Sequence, residues 1–150
     1  MDRYAASGAI AAVTPAPGDT ALGIIASPLT RAKIHLFILT MGSAGAVGDN
    51  VLQWLIRHFT ALGTYTAVVP TRLDLDSPVA QLAAGQGYTA EPTYTTTLMD
   101  IAIHQRSVYQ WNAAPGGELV IPAVANNGIG ATPVHAAYGG PAQCVMHWME

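Results

Sequence analysis

Charged side chains are scarce in this sequence: they make up 10% of its 150 residues, and Lys33 is the sole lysine. A typical soluble domain carries about 25% charged residues, and the surface of a comfortable monomer about 25–35%. Long apolar runs are missing as well. The longest candidate, Ile34 to Met41, is eight residues long, whereas a membrane-spanning helix needs about 20. A chain that is 51% apolar without such a run reads as the subunit of an assembly, with part of its surface facing other protein. The six basic residues, Arg3, Arg31, Lys33, Arg57, Arg72 and Arg106, are scattered, and the net charge is −3. No Lys/Arg stripe exists to displace counterions from phosphates, so no direct nucleic-acid partner is expected. One cysteine, Cys144, excludes an intrachain disulfide and a cysteine-based zinc site. Its alternating neighbours suit a buried small hydrophobe in a strand.

Catalytic and metal-binding signatures are also lacking. The histidines His35, His58, His104, His135 and His147 form no HxH, HxxxH or HExxH pair, so each reads as a core or rim residue rather than a ligand. Asp74 and Asp76, followed by Ser77, lack the glycine and terminal glutamate of an EF-hand loop and read as a solvated turn. There is no GxSxG, and nothing beside Cys144 would lower its pKa. The glycine-rich stretches lack the strand-to-helix setting of a phosphate loop. Glu91, Asp100 and Glu118 can meet only in space, which leaves acid/base pairing open. We expect no enzyme, no cofactor and no metal.

The positive signals are those of an all-β, antiparallel β-sandwich, with one domain over residues 1–150. A chain this long buries about 68–70% of the surface its unfolded form exposes. Met1 to Val13 is weakly apolar, contains Ser7 and Gly8, and opens with Asp2 beside Arg3, unlike a secretion signal. Within residues 1–18 it reads as a first strand or an extended arm, before the breaker Pro15 to Asp19. Ile34, Leu36, Ile38 and Thr40 define one face of a strand whose other face, His35, Phe37 and Leu39, is also mostly apolar, so both sides should be covered. Val51 to Leu62 fits a helical stripe capped by Asp49 or Asn50, or a strand with Leu52, Trp54, Ile56 and His58 on one face. The β-type neighbours favour the strand. Leu98 to His104 alternates as a half-buried strand, with Met99, Ile101 and Ile103 inward.

The long connection from Pro70 to Tyr94 carries the one helix expected, with Ser77 as cap, Pro78 at the first position, Val79 to Ala84 as body and Gly85 closing it. A crossover of this kind is a normal part of a Greek key. Further on, Val108 to Trp111, Pro115-Gly116-Gly117 and Glu118 to Pro122 read as a hairpin. Asn126-Asn127-Gly128 reads as a left-handed turn. Gly139-Gly140-Pro141 separates Val134 to Tyr138 from a last strand, Gln143 to Met149, where Cys144, Met146 and Trp148 share a face.

Several segments carry a resemblance: His104-Gln105-Arg106, Tyr109-Gln110-Trp111, Ala113 to Ile121 (AAPGGELVI), Ala125 to Gly130 (ANNGIG), Arg57-His58-Phe59-Thr60-Ala61 and Pro92-Thr93-Tyr94. From about Arg31 to Glu150 the chain resembles a family of small structural proteins of tailed bacteriophages and prophages, similar to capsid decoration, or cement, subunits. These segments are turns and strands, not a catalytic signature, and the first thirty residues lie outside the likeness.

The resemblance implies a jelly-roll-like sandwich on the outer capsid surface of a virion. It would bind the major capsid protein, bridge capsomers, and associate with itself as a trimer or dimer. Low charge agrees, because interface cores are depleted of Lys, Glu and Asp. Candidate contact residues are Arg3 and Tyr4 near the tip of an arm, Trp54 and Trp148 as aromatic anchors, and Asp74 and Tyr88 in the Asp74 to Tyr88 connection. Trp111 reads as core. The alternative is a carbohydrate- or receptor-binding module of a head fibre or tail, with Tyr88, Tyr94, Asn126 and Asn127 as a sugar patch. A major coat subunit is disfavoured by small size and the lack of a basic genome-facing surface.

Overall fold

Alternating apolar residues bounded by Gly, Pro and Asn build twelve strands among the described residues: β1 (Arg3–Ile10), β2 (Leu22–Ile25), β3 (Ala32–Met41), β4 (Val51–Ala61), β5 (Thr64–Val68), β6 (Thr71–Arg72), β7 (Ala83–Ala90), β8 (Thr93–His104), β9 (Val108–Asn112), β10 (Leu119–Ile121), β11 (Gly128–Val134) and β12 (Ala142–Met149). The structure, a computed structural model, describes residues 1–41 and 49–150. One sheet runs β10-β3-β12-β1-β6, with β9 also on β3, and the other β5-β7-β2-β11-β4-β8. Every ladder is antiparallel and the pairs are nested: β1 with β12, β2 with β11, β3 with β9 and β10, β4 with β8, β5 with β7. A hairpin wound in this way, with β1/β12 and β3/β9–β10 in one sheet and β2/β11, β4/β8 and β5/β7 in the other, is a β-sandwich of jelly-roll-like winding.

The core lies between the sheets. β12 sends Cys144, Met146 and Trp148 inward and β4 sends Leu52, Trp54 and Ile56, all fully buried. Trp111 packs on its margin, stacked on Phe37 with 4.9 Å between ring centroids. The strand reading of Val51 to Leu62 is the one formed. So is the strand reading of the N-terminus: β1 is held between β12 and β6, and residues 3–10 are no free arm. Pro15 to Gly18 turns on a hydrogen bond from Gly18 N to Pro15 O of 2.9 Å, with Gly18 at φ 76°.

Three expectations need correction. The helix after Ser77 is not formed. A short run such as Val79 to Ala84 makes few internal bonds, and its groups have tertiary partners. Ser77 Oγ donates to Asp2 Oδ1 at 2.8 Å, and Gln81 N and Leu82 N donate to the Glu150 carboxylate. Ala83 and Ala84 pair with β2 instead.

The second correction concerns β9 and β10, which do not pair with each other. They lie end to end along β3, opposite Leu36–Thr40 and Ala32–Ile34. Pro115-Gly116-Gly117 is thus a turn that bulges out of an interrupted strand, closed by Gly117 N to Ala114 O with Gly116 at φ 84°. Likewise β11 and β12 lie in different sheets, and of the segment Val134 to Tyr138 only Val134 belongs to a strand, the end of β11.

The third is the face of β3. Trp148 pairs with Ile34 but His147 with Leu36, so His35 is an extra residue in the ladder. This bulge puts Ile34, Phe37 and Leu39 inward, and Leu36, Ile38 and Thr40 outward.

Candidate interface along the crossover

Residues 62–92 leave β4 near one edge of the sandwich and reach the opposite edge, laying β5 and β7 beside β2 and β6 beside β1. Between β6 and β7 the chain turns on Asp74, whose carboxylate accepts from Asp76 N at 3.1 Å and whose carbonyl accepts from Ser77 N. This is the turn chemistry that aspartate favours. Tertiary bonds then pin the loop to β1 and to the end of β12. Leu73 N donates to Arg3 O at 2.9 Å, Arg72 Nη1 to Ser77 O at 3.0 Å, and Tyr4 Oη to Pro78 O at 3.0 Å. Burial, together with the Glu150 and Asp2 carboxylates and against the opposing effect of Arg72, raises the Tyr4 hydroxyl pKa and keeps it a donor.

This well-tied loop holds large aliphatic side chains in water. Leu75 is 90% exposed, Val69 86%, Val79 70% and Leu73 42%. Each forgoes part of the roughly 1.5–3 kcal/mol that full burial of such a side chain brings. Grouped exposed apolar side chains mark interaction surfaces. Asp74 and Arg3 flank them as exposed charges. Arg3 also borders the outer face of the first sheet, where Leu36, Ile38, Val145 and Met149 are half-buried. Among the described residues no strand packs over that face.

The structure therefore brings Arg3 and Asp74 to one edge, with Tyr4 beneath them as an anchor. Tyr4, Trp54 and Trp148 are buried in the core, so their side chains offer nothing to a partner and the interface expectation fails for them. Aromatic content alone does not distinguish an anchor from a core residue. The exposed Val69, Leu73, Leu75 and Val79 went unnoticed in the sequence because a segment expected to be partly helical gives no reason to expect four outward aliphatics. The signal was there as four aliphatic residues interspersed with Pro, Asp and Ser in a long connection.

Tyr88 lies elsewhere, on the outer face of the second sheet, where four aromatic rings cover glycines. A Cβ on Gly23 would stand 2.3 Å from the Tyr88 hydroxyl, and one on Gly130 2.4 Å from that of Tyr94. Tyr88 packs on Tyr65, and Tyr94 on Phe59. Burial, with Tyr94, Tyr65 and Glu91 adding to it, pushes the Tyr88 hydroxyl far above the ordinary tyrosine range. Tyr88 and Tyr94 lie against the sheet with their hydroxyls over Gly23 and Gly130. Tyr88 and Tyr94 therefore do not form the free stacking platform expected of a sugar patch with Asn126 and Asn127. Asn126 takes the left-handed turn position at φ 67°.

The three carboxylates that could have met have separate partners: Glu91 holds Thr20, Asp100 accepts from Gln53, and Glu118 pairs with Lys33 at 3.9 Å. Among the described residues no group of three or more His, Cys, Asp or Glu is placed to hold a metal ion. Two histidines fix turns instead. His104 Nδ1 accepts from Arg106 N, and His135 Nδ1 from Ala137 N and Tyr138 N. Comparison with protein-family models, with curated proteins and with solved structures gave no match.

Proposed function

We propose that this chain is a structural subunit of a phage virion, a capsid decoration protein that docks on the outer shell through the crossover edge and bridges capsomers. The observation that carries the reading is the crossover loop, tied by backbone and side-chain bonds yet presenting Val69, Leu73, Leu75 and Val79 to solvent. A pinned loop loses little conformational freedom on docking, so more of its apolar burial becomes affinity. A contact of ordinary size covers roughly 800 Å² per partner, and shell symmetry repeats it. Jelly rolls recur in viral capsid and lectin domains, an analogy of fold that supports the reading. The major capsid protein and further copies of this chain, as a trimer or dimer, are the partners proposed.

The test is occupancy. Purified protein added to capsids that lack it should bind in a fixed ratio to shell subunits, and a Leu75→Asp/Val79→Asp variant should bind at least tenfold more weakly while melting at an unchanged temperature. Absence of the protein from purified particles, or unchanged binding by the double variant, would refute the proposal.

A further inference from the structure

At the edge of the sandwich away from the crossover, a groove of about 330 Å³ lies beside β4, β8 and β10. That volume is at the lower end of the range of small-ligand sites. Its polar lining comprises Arg31, His58, Thr60, Thr95, Thr96 and Asn127, with no carboxylate among the lining residues. Arg31 is exposed and makes no ion pair or hydrogen bond among the described residues. The groove thus offers one uncompensated guanidinium, a group suited to grip a carboxylate with two parallel hydrogen bonds.

The other groups both donate and accept. His58 Nδ1 lies 3.4 Å from Gly128 O. A carbonyl only accepts, so Nδ1 carries the hydrogen and Nε2 is left as an acceptor. Asn127 is fixed through its backbone, which donates to Val124 O and accepts from Ala26 N, so its amide is held in place with no side-chain bond to another described residue. The Thr95 hydroxyl donates to His58 O, while those of Thr60 and Thr96 make no such bond among the described residues. Val120 and Pro122 give the groove an apolar wall.

Charge and hydroxyl count select the ligand. A phosphate, with close to two negative charges, is usually met by several cations or by a row of backbone N–H groups, and neither is present here. A single cation among hydroxyl, amide and imidazole groups matches one carboxylate on a polyhydroxylated frame. We propose that this groove binds an acidic sugar, a hexuronic or sialic acid residue, with Arg31 on the carboxylate and Thr60, Thr96, Asn127 and His58 on the ring hydroxyls. The proposal is independent of the docking role, since the crossover lies at the opposite edge.

Titration of isotope-labelled protein by NMR with glucuronic acid, N-acetylneuraminic acid, glucose and acetate, at fixed ionic strength, tests it. Shifts should cluster at residues 31, 58–60, 95–96 and 127, with an acidic sugar binding severalfold more tightly than acetate, which lacks the ring hydroxyls, and about tenfold or more tightly than glucose, the factor that one charge-assisted hydrogen bond supplies. Arg31→Gln should lose that margin, and Thr96→Val should weaken the acidic sugars severalfold with an unchanged melting temperature. Equal binding of glucose, equal binding of acetate, indifference to Arg31→Gln, or no shift with either acidic sugar up to tens of millimolar would each overturn it.

Discussion

Arg57 and Glu91 are joined end to end by three hydroxyls. Arg57 Nη2 donates to Thr132 Oγ1 at 2.9 Å, Thr132 donates to Tyr94 Oη at 3.3 Å, and Thr20 donates to Glu91. With the Thr20 hydrogen spent on Glu91, Tyr94 must be the donor in its bond to Thr20. The chain runs in one direction from cation to anion across the second sheet, and the Arg57 guanidinium also lies 3.8 Å from the centre of the Tyr94 ring. Bonds in such a line polarise one another. Tyr94→Phe keeps the ring but removes the middle link, leaving fully buried Thr132 and Thr20 each short of a partner. Urea denaturation should show a loss of about 1–3 kcal/mol. Tyr88→Phe removes a buried hydroxyl that has no partner among the described residues and should cost nothing or stabilise slightly. Equal losses from the two substitutions would contradict the network.

The two sheets approach closely where β1 passes the residue before β2. A Cβ on Gly8 would stand 2.2 Å from Ala21 O, a backbone atom that cannot swing aside. Gly8→Ala must therefore separate strands of opposite sheets, and we expect a loss of about 3 kcal/mol or more, beyond ordinary overpacking. Gly139→Ala meets no atom within 4 Å. It should instead gain roughly 0.4–1 kcal/mol by narrowing the unfolded ensemble. Denaturation midpoints of both variants decide the matter, and a Gly8→Ala midpoint near that of the parent chain would mean the strands are less tightly apposed.

The sandwich was legible because strand alternation and turn residues are local signals. Met99, Ile101 and Ile103 face inward as their spacing implied, and Asn126 adopts the turn conformation its side chain tolerates. What failed was non-local. Ser77-Pro78 is a good helix start, but its hydroxyl is taken by Asp2, far away in sequence. Pro115-Gly116-Gly117 makes a turn, but only the position of β3 determines whether the flanking strands pair with each other or both with a third. The His35 bulge, which reverses the faces of β3, depends on register with β12. Of the residues singled out as contacts, Arg3 and Asp74 are exposed, whereas Trp54 and Trp148 are core, because tryptophan anchors interfaces and cores alike and only the apolar company of these two on their strands points inward.

Cys144 sits in the core on β12, fully buried, and burial alone drives its thiol far above the ordinary range. The thiolate is the reactive species, so native protein at pH 8 should resist dithionitrobenzoate. Protein in strong urea should release one equivalent of thionitrobenzoate per chain. Labelling in the native state should proceed only at the rate of opening of the sandwich. Prompt stoichiometric labelling of native protein would show that β12 is not held as described.

His35 and His147 face each other on the outer side of the first sheet, with ring centroids 6.2 Å apart. Burial lowers the pKa of His35 first, with Arg3 adding to this and Glu118 opposing it. Burial and then His35 lower that of His147. His35 Nδ1 is buried without a hydrogen-bond partner among the described residues, so a proton placed there finds no acceptor. Because both groups titrate below the unfolded value of 6.5, the unfolded chain takes up protons first as pH falls. Their contribution to stability is thus complete above about pH 6.5 and drains away as pH drops through their lowered folded values. The urea midpoint should be level from pH 8 to 7 and decline between pH 6.5 and 5, before most carboxylates protonate. A His35→Gln/His147→Gln variant should decline less over the same interval. A midpoint that rises toward pH 5, or a variant with the parent's slope, would show that these two rings are not the groups responsible.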